Sequence, residues 1–552
     1  MDNTLTIDGA SVSLFKGATY LDALRRIGAG REQTAVAVLT PGGIRSLSDE
    51  AQPGQTVRTI DLSDEEGRRV YERSLRFVFL LAVHQMYPGK RVRFENSMGG
   101  GIYVTLPDDV LLSSPTVRRI QTRMRELVAA DLPFTCRDVP QSEALDYFRA
   151  CGWDDKVELL RYRPDKTFRL YECGGFREYF YGAMLPSTGY VHTFALHFQL
   201  PGIMLMLPDK SDLSRPAPFV ERPKLTRVLA ETARWNDILG CSNVADLNRM
   251  VMDRSLREFI RVNEALQEKS IADIADRFVE SGARVMLIAG PSSSGKTTFT
   301  HRMAIELRVL GKKPLLISLD DYYRSRSEMT PGPDGTIDLD SLEALDVGLF
   351  NEQLVGLLQG QDVCLSRFDF TTGQRTLSAQ PTRIGPSQPI IIEGIHGLND
   401  ALTPDIPNGA KFRVYISALT QLNLDDHNRI RTTDARLIRR LVRDYQFRSS
   451  PVDRTFSMWP SVVRGEEKNI FSFQEHADVM FNSSLMYEMA ILKSYAVPLL
   501  SQVTPDDPYY TKAQRLLAFL DYFVEAHVED EVPVNSILRE FIGGCCFYRS
   551  LD

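Results

Sequence analysis

Apolar positions change their period along the chain, and the changes divide it. From Leu5 to Leu14 apolar and polar residues alternate around Asp8-Gly9, which predicts a β-hairpin. A short helix is predicted from Tyr20 to Ile27, then a strand at Ala35–Leu39 and a turn at Pro41-Gly42-Gly43. Pro216-Ala-Pro218 and Pro223 mark a later boundary. Beyond it the spacing turns helical, notably over Val251–Leu266 and Ile271–Val279, with a solvated face and an apolar stripe expected over 263–274. From 282 onward short apolar runs alternate with helical patterns. Strands are predicted at Val285–Ala289, Leu315–Leu319, Val363–Ser366, Pro389–Ile392 and Lys411–Ile416. That alternation predicts an α/β fold with a parallel sheet and helices on both faces. Ligands of such sheets bind at the carboxyl ends of the strands.

The first of these strands runs into Gly290-Pro-Ser-Ser-Ser-Gly-Lys-Thr-Thr298. Gly290, Gly295, Lys296 and Thr297 fit the G-x-x-x-x-G-K-[ST] phosphate loop. In such a loop backbone N–H groups, here those of Ser292, Ser293 and Ser294 following the Pro291 turn, curl round the β-phosphate at a positive helix N-terminus. Lys296 then faces the β- and γ-phosphates and the Thr297 hydroxyl the Mg²⁺, and a helical pattern follows from Thr297 through Thr298. ATP and Mg²⁺ are the expected ligands.

Candidate partners in chemistry follow later strands. Asp320-Asp-Tyr-Tyr-Arg324 comes directly after Leu315–Leu319, where a carboxylate can take a proton from an acceptor hydroxyl facing the γ-phosphate. Asp321 reads more simply as a turn or helix cap. Glu393 ends the strand Pro389–Ile392, where the second phosphate-loop motif places its acid beside Mg²⁺ and its waters. Arg436, Arg439, Arg440 and Arg443 share a helical sector within Thr433–Asp444 and suit phosphate oxygens on a closing lid. Gln421–Arg429, just before, reads either as part of a rebuilt acceptor pocket or as a polar surface loop. Ser457–Ile470 reads as a loop, and Val534–Ile542 as a docking helix.

Composition narrows the field without deciding it. The 552 residues allow several domains, and 43% hydrophobic with 25% charged residues is ordinary globular usage. A net charge of −7 argues against a general nucleic-acid or membrane-surface binder. The seven cysteines are scattered without a C-x-x-C pair, which suits a reducing compartment. With no secretory signal at Met1–Leu5, the expected location is cytoplasmic.

The motifs Gly290–Thr297, Ser318–Arg324, Asp338-Leu-Asp340, Arg367-Phe-Asp-Phe370, Ile392-Glu-Gly394 and Asp434–Arg440 resemble, in order, those of uridine kinases in the phosphoribulokinase/uridine kinase family. The resemblance implies that Asp320 is the general base on a 5′-hydroxyl and that Tyr323 lines the acceptor site. It implies Asp340 at the ribose hydroxyls, Arg436 near the acceptor, Glu393 near Mg²⁺, and Arg439 and Arg440 on the triphosphate. Lys296, Asp320, Arg436 and Arg440 form the expected catalytic set. Two positions depart from the pattern: Phe368 replaces a tyrosine, and near Gly373 a histidine is missing. Both would read the pyrimidine, so the base is open.

Residues 1–62 resemble the TGS domain, a ubiquitin-like β-grasp fold. Residues 63–220 resemble the α+β editing domain of threonyl-tRNA synthetases through Leu80–Pro88, Tyr171–Arg177 and Pro186–Tyr190. That family holds Zn²⁺ with three histidines and a cysteine; here the positions are Phe77, Leu81, Cys173 and Arg177, which cannot form a tetrahedral site. Residues 221–281 connect these units to the kinase-like 282–552. The combined expectation is an ATP- and Mg²⁺-dependent nucleoside 5′-kinase whose N-terminal half regulates or scaffolds. An ATP-gated RNA- or ribosome-associated protein is the rival, with RNA meeting the N-terminal half, and a sugar-phosphate kinase is a third reading. A small-molecule nucleoside is the expected partner; a membrane is not, and a homo-oligomer is compatible with this reading.

Overall fold

The computed structural model describes residues 3–28, 30–107, 109–329, 338, 340–369 and 372–547. The first unit is a five-stranded sheet in the order Ala10–Ser13, Thr4–Ile7, Thr56–Ile60, Ala37–Thr40, Gly43–Arg45. Asp8 and Gly9 hold φ of 48° and 84°, the pair of positive values a tight hairpin turn requires. The helix Tyr20–Ile27 opens with Thr19 and Asp22 capping each other and lays Tyr20, Ala23 and Leu24 onto Leu5, Ile7, Val38 and Val57.

The second unit is built round the helix Glu65–Met86, which is buried along most of its length. A four-stranded antiparallel sheet (93–105 and 195–206) and a three-stranded one (135–140 and 167–179) pack about it. Three helices follow: Pro223–Leu239, Val244–Met252 and Leu256–Glu280. The last is one continuous helix, where two had been expected. Over 263–274 Ala265, Glu268, Lys269 and Asp273 are solvated, while the buried stripe holds the polar Asn263, Glu264 and Gln267 beside Ile271 and Ile274, and Glu264 accepts from the Tyr487 and Ser536 hydroxyls. Period alone does not reveal a face covered by a distant segment.

The third unit carries the expected parallel sheet, in the order Leu315–Ser318, Ile390–Glu393, Val285–Ala289, Lys411–Ser417, Val479–Asn482. Val285 and Leu287 face Phe350 and Leu354 on one side, while Met286 and Ile288 face Phe299 and Phe278 on the other. The strand predicted at Val363–Ser366 is not in this sheet. Ser366–Asp369 pairs instead with Gln374–Leu377 as a separate ribbon, and Val363 makes one bridge to Thr382. A run only half apolar does not sustain a strand buried on both faces. The edge strand Val479–Asn482 had been missed.

Three further expectations fail on burial. Val452–Asn469 is a helix, because Val452, Thr455, Phe456 and Trp459 bury one side. The C-terminal segment forms a helix only over Arg539–Ile542. Gln421–Arg429 is not a surface loop. Asn423–Asp425 and Asn428–Arg429 form a small hairpin buried against the second unit. There Lys156 pairs with Glu178 at 2.8 Å and Asp425 at 2.9 Å, and Arg429 pairs with Glu72 at 3.2 Å. No helix among the described residues is long and apolar enough to cross a membrane.

Candidate functional site

The phosphate loop forms where the central strand Val285–Ala289 ends. Gly290 passes so close to the next strand that a Cβ there would fall 2.0 Å from the Ile416 carbonyl oxygen. Gly295 takes φ 81° at the start of the helix Lys296–Val309. Lys296 Nζ donates to the Pro291 carbonyl at 3.2 Å. Ser293 Oγ and Ser294 Oγ are buried without a hydrogen-bond partner among the described residues. Carboxylates reach the loop from elsewhere. Glu466 accepts the Ser292 N–H at 2.7 Å, and Glu540 accepts the Thr298 hydroxyl at 2.8 Å.

Asp320 and Glu393 follow the two strands on the same side of the loop. Asp320 carries accessible surface yet lies deep among protein atoms. This desolvation raises its carboxyl pKa, with Lys296 working the other way. Burial pushes Glu393 up to about 7 against the pull of Lys296, with Asp320 adding to the rise; Ser318 Oγ donates to Glu393 at 3.1 Å. Burial lowers Lys296, and Glu393, Asp320, Glu540 and Glu466 all oppose that shift. Glu466 is already taken up by Arg436, so Asp320 and Glu393 are the carboxylates left facing Lys296, and oxygen donors of this kind suit a hard cation. Thr297 opens the helix beside it. No cage of three or more acidic, histidine or cysteine side chains exists among the described residues.

Tyr323, Asp340 and Phe368 gather beyond Asp320. The Tyr323 and Phe368 rings lie 5.7 Å apart, and burial with Asp320, Asp340 and Asp338 nearby raises the Tyr323 phenol. Burial and then Asp338 and Glu466 push Asp340 up to about 6. A Cβ on Gly465 would come within 2.6 Å of Asp340 Oδ2, so only glycine lets this helix approach. Asp321 instead accepts the Phe368 N–H at 3.3 Å, tying the ribbon down. Phe370, Thr371 and Leu339 of the quoted motifs lie outside the described residues.

The arginine helix departs most from expectation. It spans Thr432–Arg448 and buries Arg436 and Arg439 at 1% and 0% exposure, so it is a core element and no lid. Arg436 donates to the Ser292 carbonyl at 2.9 Å and pairs with Glu466. Arg439 donates to the Ser293 carbonyl at 3.3 Å and pairs with Glu488. Arg440 donates to Ser292 Oγ at 2.9 Å and pairs with Asp444 at 3.1 Å. All three thus grip the phosphate loop itself. Sequence reading also passed over Glu466, Glu540 and His396. Both ring nitrogens of His396 are buried without a partner among the described residues, and burial drops its pKa to about 4. Its place after Glu393-Gly394 was the available signal.

Residues 285–488 match the phosphoribulokinase/uridine kinase family. The N-terminal region is similar to threonine–tRNA ligases. The ligase of Pelobacter propionicus is 30% identical over 189 residues, 34% of this chain and 30% of that one. That of a Geobacter species is 28% identical over 194 residues, 35% and 30% of the two chains. The chain therefore spans under a third of the length of these relatives. Among solved structures, a possible uridine kinase from Bacillus stearothermophilus is 20% identical with a TM-score of 0.26, covering 38% of this chain and 98% of that one. D-glycerate 3-kinase from Cryptococcus neoformans is 12% identical with a TM-score of 0.19, covering 51% and 89%.

Of the four positions expected to correspond to metal ligands, Phe77, Leu81 and Cys173 are buried. Phe77 meets Phe134 and Phe176 edge-on at 5.2 and 5.4 Å, Leu81 is fully buried, and burial pushes the Cys173 thiol up to about 11. Arg177 faces outward, paired with Glu172 at 2.6 Å.

Proposed function

We propose that residues 282–552 form an ATP-dependent kinase that phosphorylates the 5′-hydroxyl of a nucleoside. The observation that carries this reading is the convergence of Lys296, Asp320 and Glu393 on one charged cluster at the ends of three neighbouring strands. The family match supports a kinase, and the grouping of Asp320, Tyr323, Asp340 and Phe368 supports a ribose-bearing acceptor.

In this reading the loop amides and Lys296 hold the β- and γ-phosphates of ATP, the substrate. Asp320 accepts the proton of the attacking hydroxyl, and its raised pKa makes it a better acceptor than an ordinary aspartate. Asp340 accepts hydrogen bonds from the ribose hydroxyls, with Tyr323 and Phe368 walling the sugar and base. Arg436, Arg439 and Arg440 keep the loop in its curled form from behind. Thr297 and, through water, Glu393 would hold Mg²⁺, which when bound neutralises charge on the transferring phosphoryl group. The N-terminal half would then regulate or scaffold, the expected metal positions being taken by Phe77, Leu81 and Arg177 with only Cys173 kept as a ligand type.

A coupled ADP-release assay with a panel of nucleosides and sugar phosphates tests this. Release dependent on one nucleoside is expected; release with a sugar phosphate alone moves the acceptor. The similarity to tRNA ligases favours a second reading, an ATP-binding protein with an RNA partner. It expects ATP binding with no acceptor-dependent ADP release.

A further inference from the structure

A cavity of about 250 Å³ lies where all three units meet, and no phosphate-loop residue lines it. Six arginines line it: Arg69, Arg73 and Arg76 of the helix Glu65–Met86, Arg429 and Arg431 of the buried hairpin and the residues after it, and Arg515 of the helix Tyr510–Leu520. Four carboxylates pair with them. Asp434 meets Arg69 and Arg515, each at 2.8 Å, and Glu66 meets Arg515 at 3.0 Å. Glu65 meets Arg69 at 2.7 Å, and Glu72 serves Arg429, Arg431 and, at 4.0 Å, Arg76.

Six guanidiniums against four carboxylates leave two positive charges uncompensated inside protein, where an unpaired charge is costly. The deficit can be located. Arg73 has no carboxylate within 4 Å among the described residues and donates only to the Ala183 carbonyl. Arg76 is 6% exposed; one of its nitrogens donates to the His427 carbonyl at 2.7 Å, while Nε, 4.0 Å from Glu72, is buried without a hydrogen bond among the described residues. Burial lowers Arg73, and it pushes Arg76 down to about 10 and Arg431 to about 9. The protein alone therefore does not satisfy this cluster.

We infer that the cavity is a binding site for a small phosphate monoester. Such a group carries between −1.5 and −2 charge at neutral pH, which matches the uncompensated pair. Guanidinium forks suit its oxygens, and Tyr181, Tyr510 and the Gly42-Gly43 backbone are left to contact the body of the molecule. The volume admits a headgroup and a sugar-sized remainder. Occupancy has a route to the phosphate loop, because Asp434, held by Arg69 and Arg515, stands two residues before Arg436 on one buried helix. The site does not depend on the proposed nucleoside kinase reading.

Titration calorimetry of the full chain carrying Lys296→Ala with ribose 5-phosphate tests the inference, since that variant removes the loop lysine. Saturable binding is expected, weakened about tenfold or more by adding Arg73→Gln and less by Arg73→Lys. Ribose should not bind; inorganic phosphate should bind and compete. Should Arg73→Gln not fold, phenylglyoxal modification of the unaltered chain gives the same reading: ribose 5-phosphate should protect Arg73. Absence of binding in the Lys296→Ala chain, or binding indifferent to Arg73 with Arg73 unprotected, overturns it.

Discussion

The backbone N–H of Ser292 donates to Glu466 across 2.7 Å, so a carboxylate from the helix Val452–Asn469 sits at an amide of the phosphate loop. The same carboxylate neutralises Arg436, whose own guanidinium holds the Ser292 carbonyl at 2.9 Å. Loop, arginine and glutamate close a ring buried from water. Glu466→Gln would leave Arg436 buried and charged without its partner, at a cost of about 3 kcal/mol. A lower urea midpoint is expected; an unchanged midpoint would mean the pair does not hold the loop.

Glu540 stands where it competes with a phosphate. It accepts from Thr298 at 2.8 Å and adds negative charge beside Lys296. Glu540→Ala should tighten ATP binding about tenfold or more, the worth of one hydrogen bond at a charged group. Fluorescent ATP-analogue titration reads this directly. Weaker binding would make the tail a support for the loop and not a competitor.

On the acceptor side, Asp340→Asn keeps the shape and removes the charge that a ribose hydroxyl would meet. The acceptor KM should rise by about tenfold or more, with the ATP Kd unchanged. If KM stays constant, the ribose does not lie there.

The seam between the second and third units should open in acid. Burial alone would raise Glu178, but Lys156 and His427 hold it down to about 2; Arg residues hold Glu72 and Asp434 lower still against the same burial. A depressed carboxyl contributes stability above its unfolded pKa and loses it as pH falls through the folded one. Stability at this seam is thus complete above about pH 5 and lost progressively towards pH 2. Asp425, raised by burial, contributes in the opposite sense. Trp153, 5.0 Å from the His427 ring, is the natural fluorescence reporter. A flat signal across that range would contradict the assignment.

What was legible in the chain was whatever is written locally. The Asp8-Gly9 hairpin, the helix Tyr20–Ile27 and the strand running into Gly290–Thr297 each carry their signal within about ten residues, and the structure has them in place. Asp425, His427 and Arg429 read as a surface loop or an acceptor-pocket wall because nothing nearby in sequence shows what buries them. Their partners Lys156, Glu178 and Glu72 lie hundreds of residues earlier. Arg436 and Arg439 misled in the same way: an arginine-rich helix looks solvated until Glu466 and Glu488 are seen against it. Polar residues bury when distant charges meet them, and no period records that.

Turnover and ATP affinity measured side by side for Asp320→Asn put the central claim to its most direct trial. If Asp320 takes the acceptor proton, kcat should fall by about a hundredfold or more while the ATP Kd stays within a factor of about two. An Asp320→Asn chain that turns over like the unaltered protein, or that loses ATP binding together with activity, would contradict it.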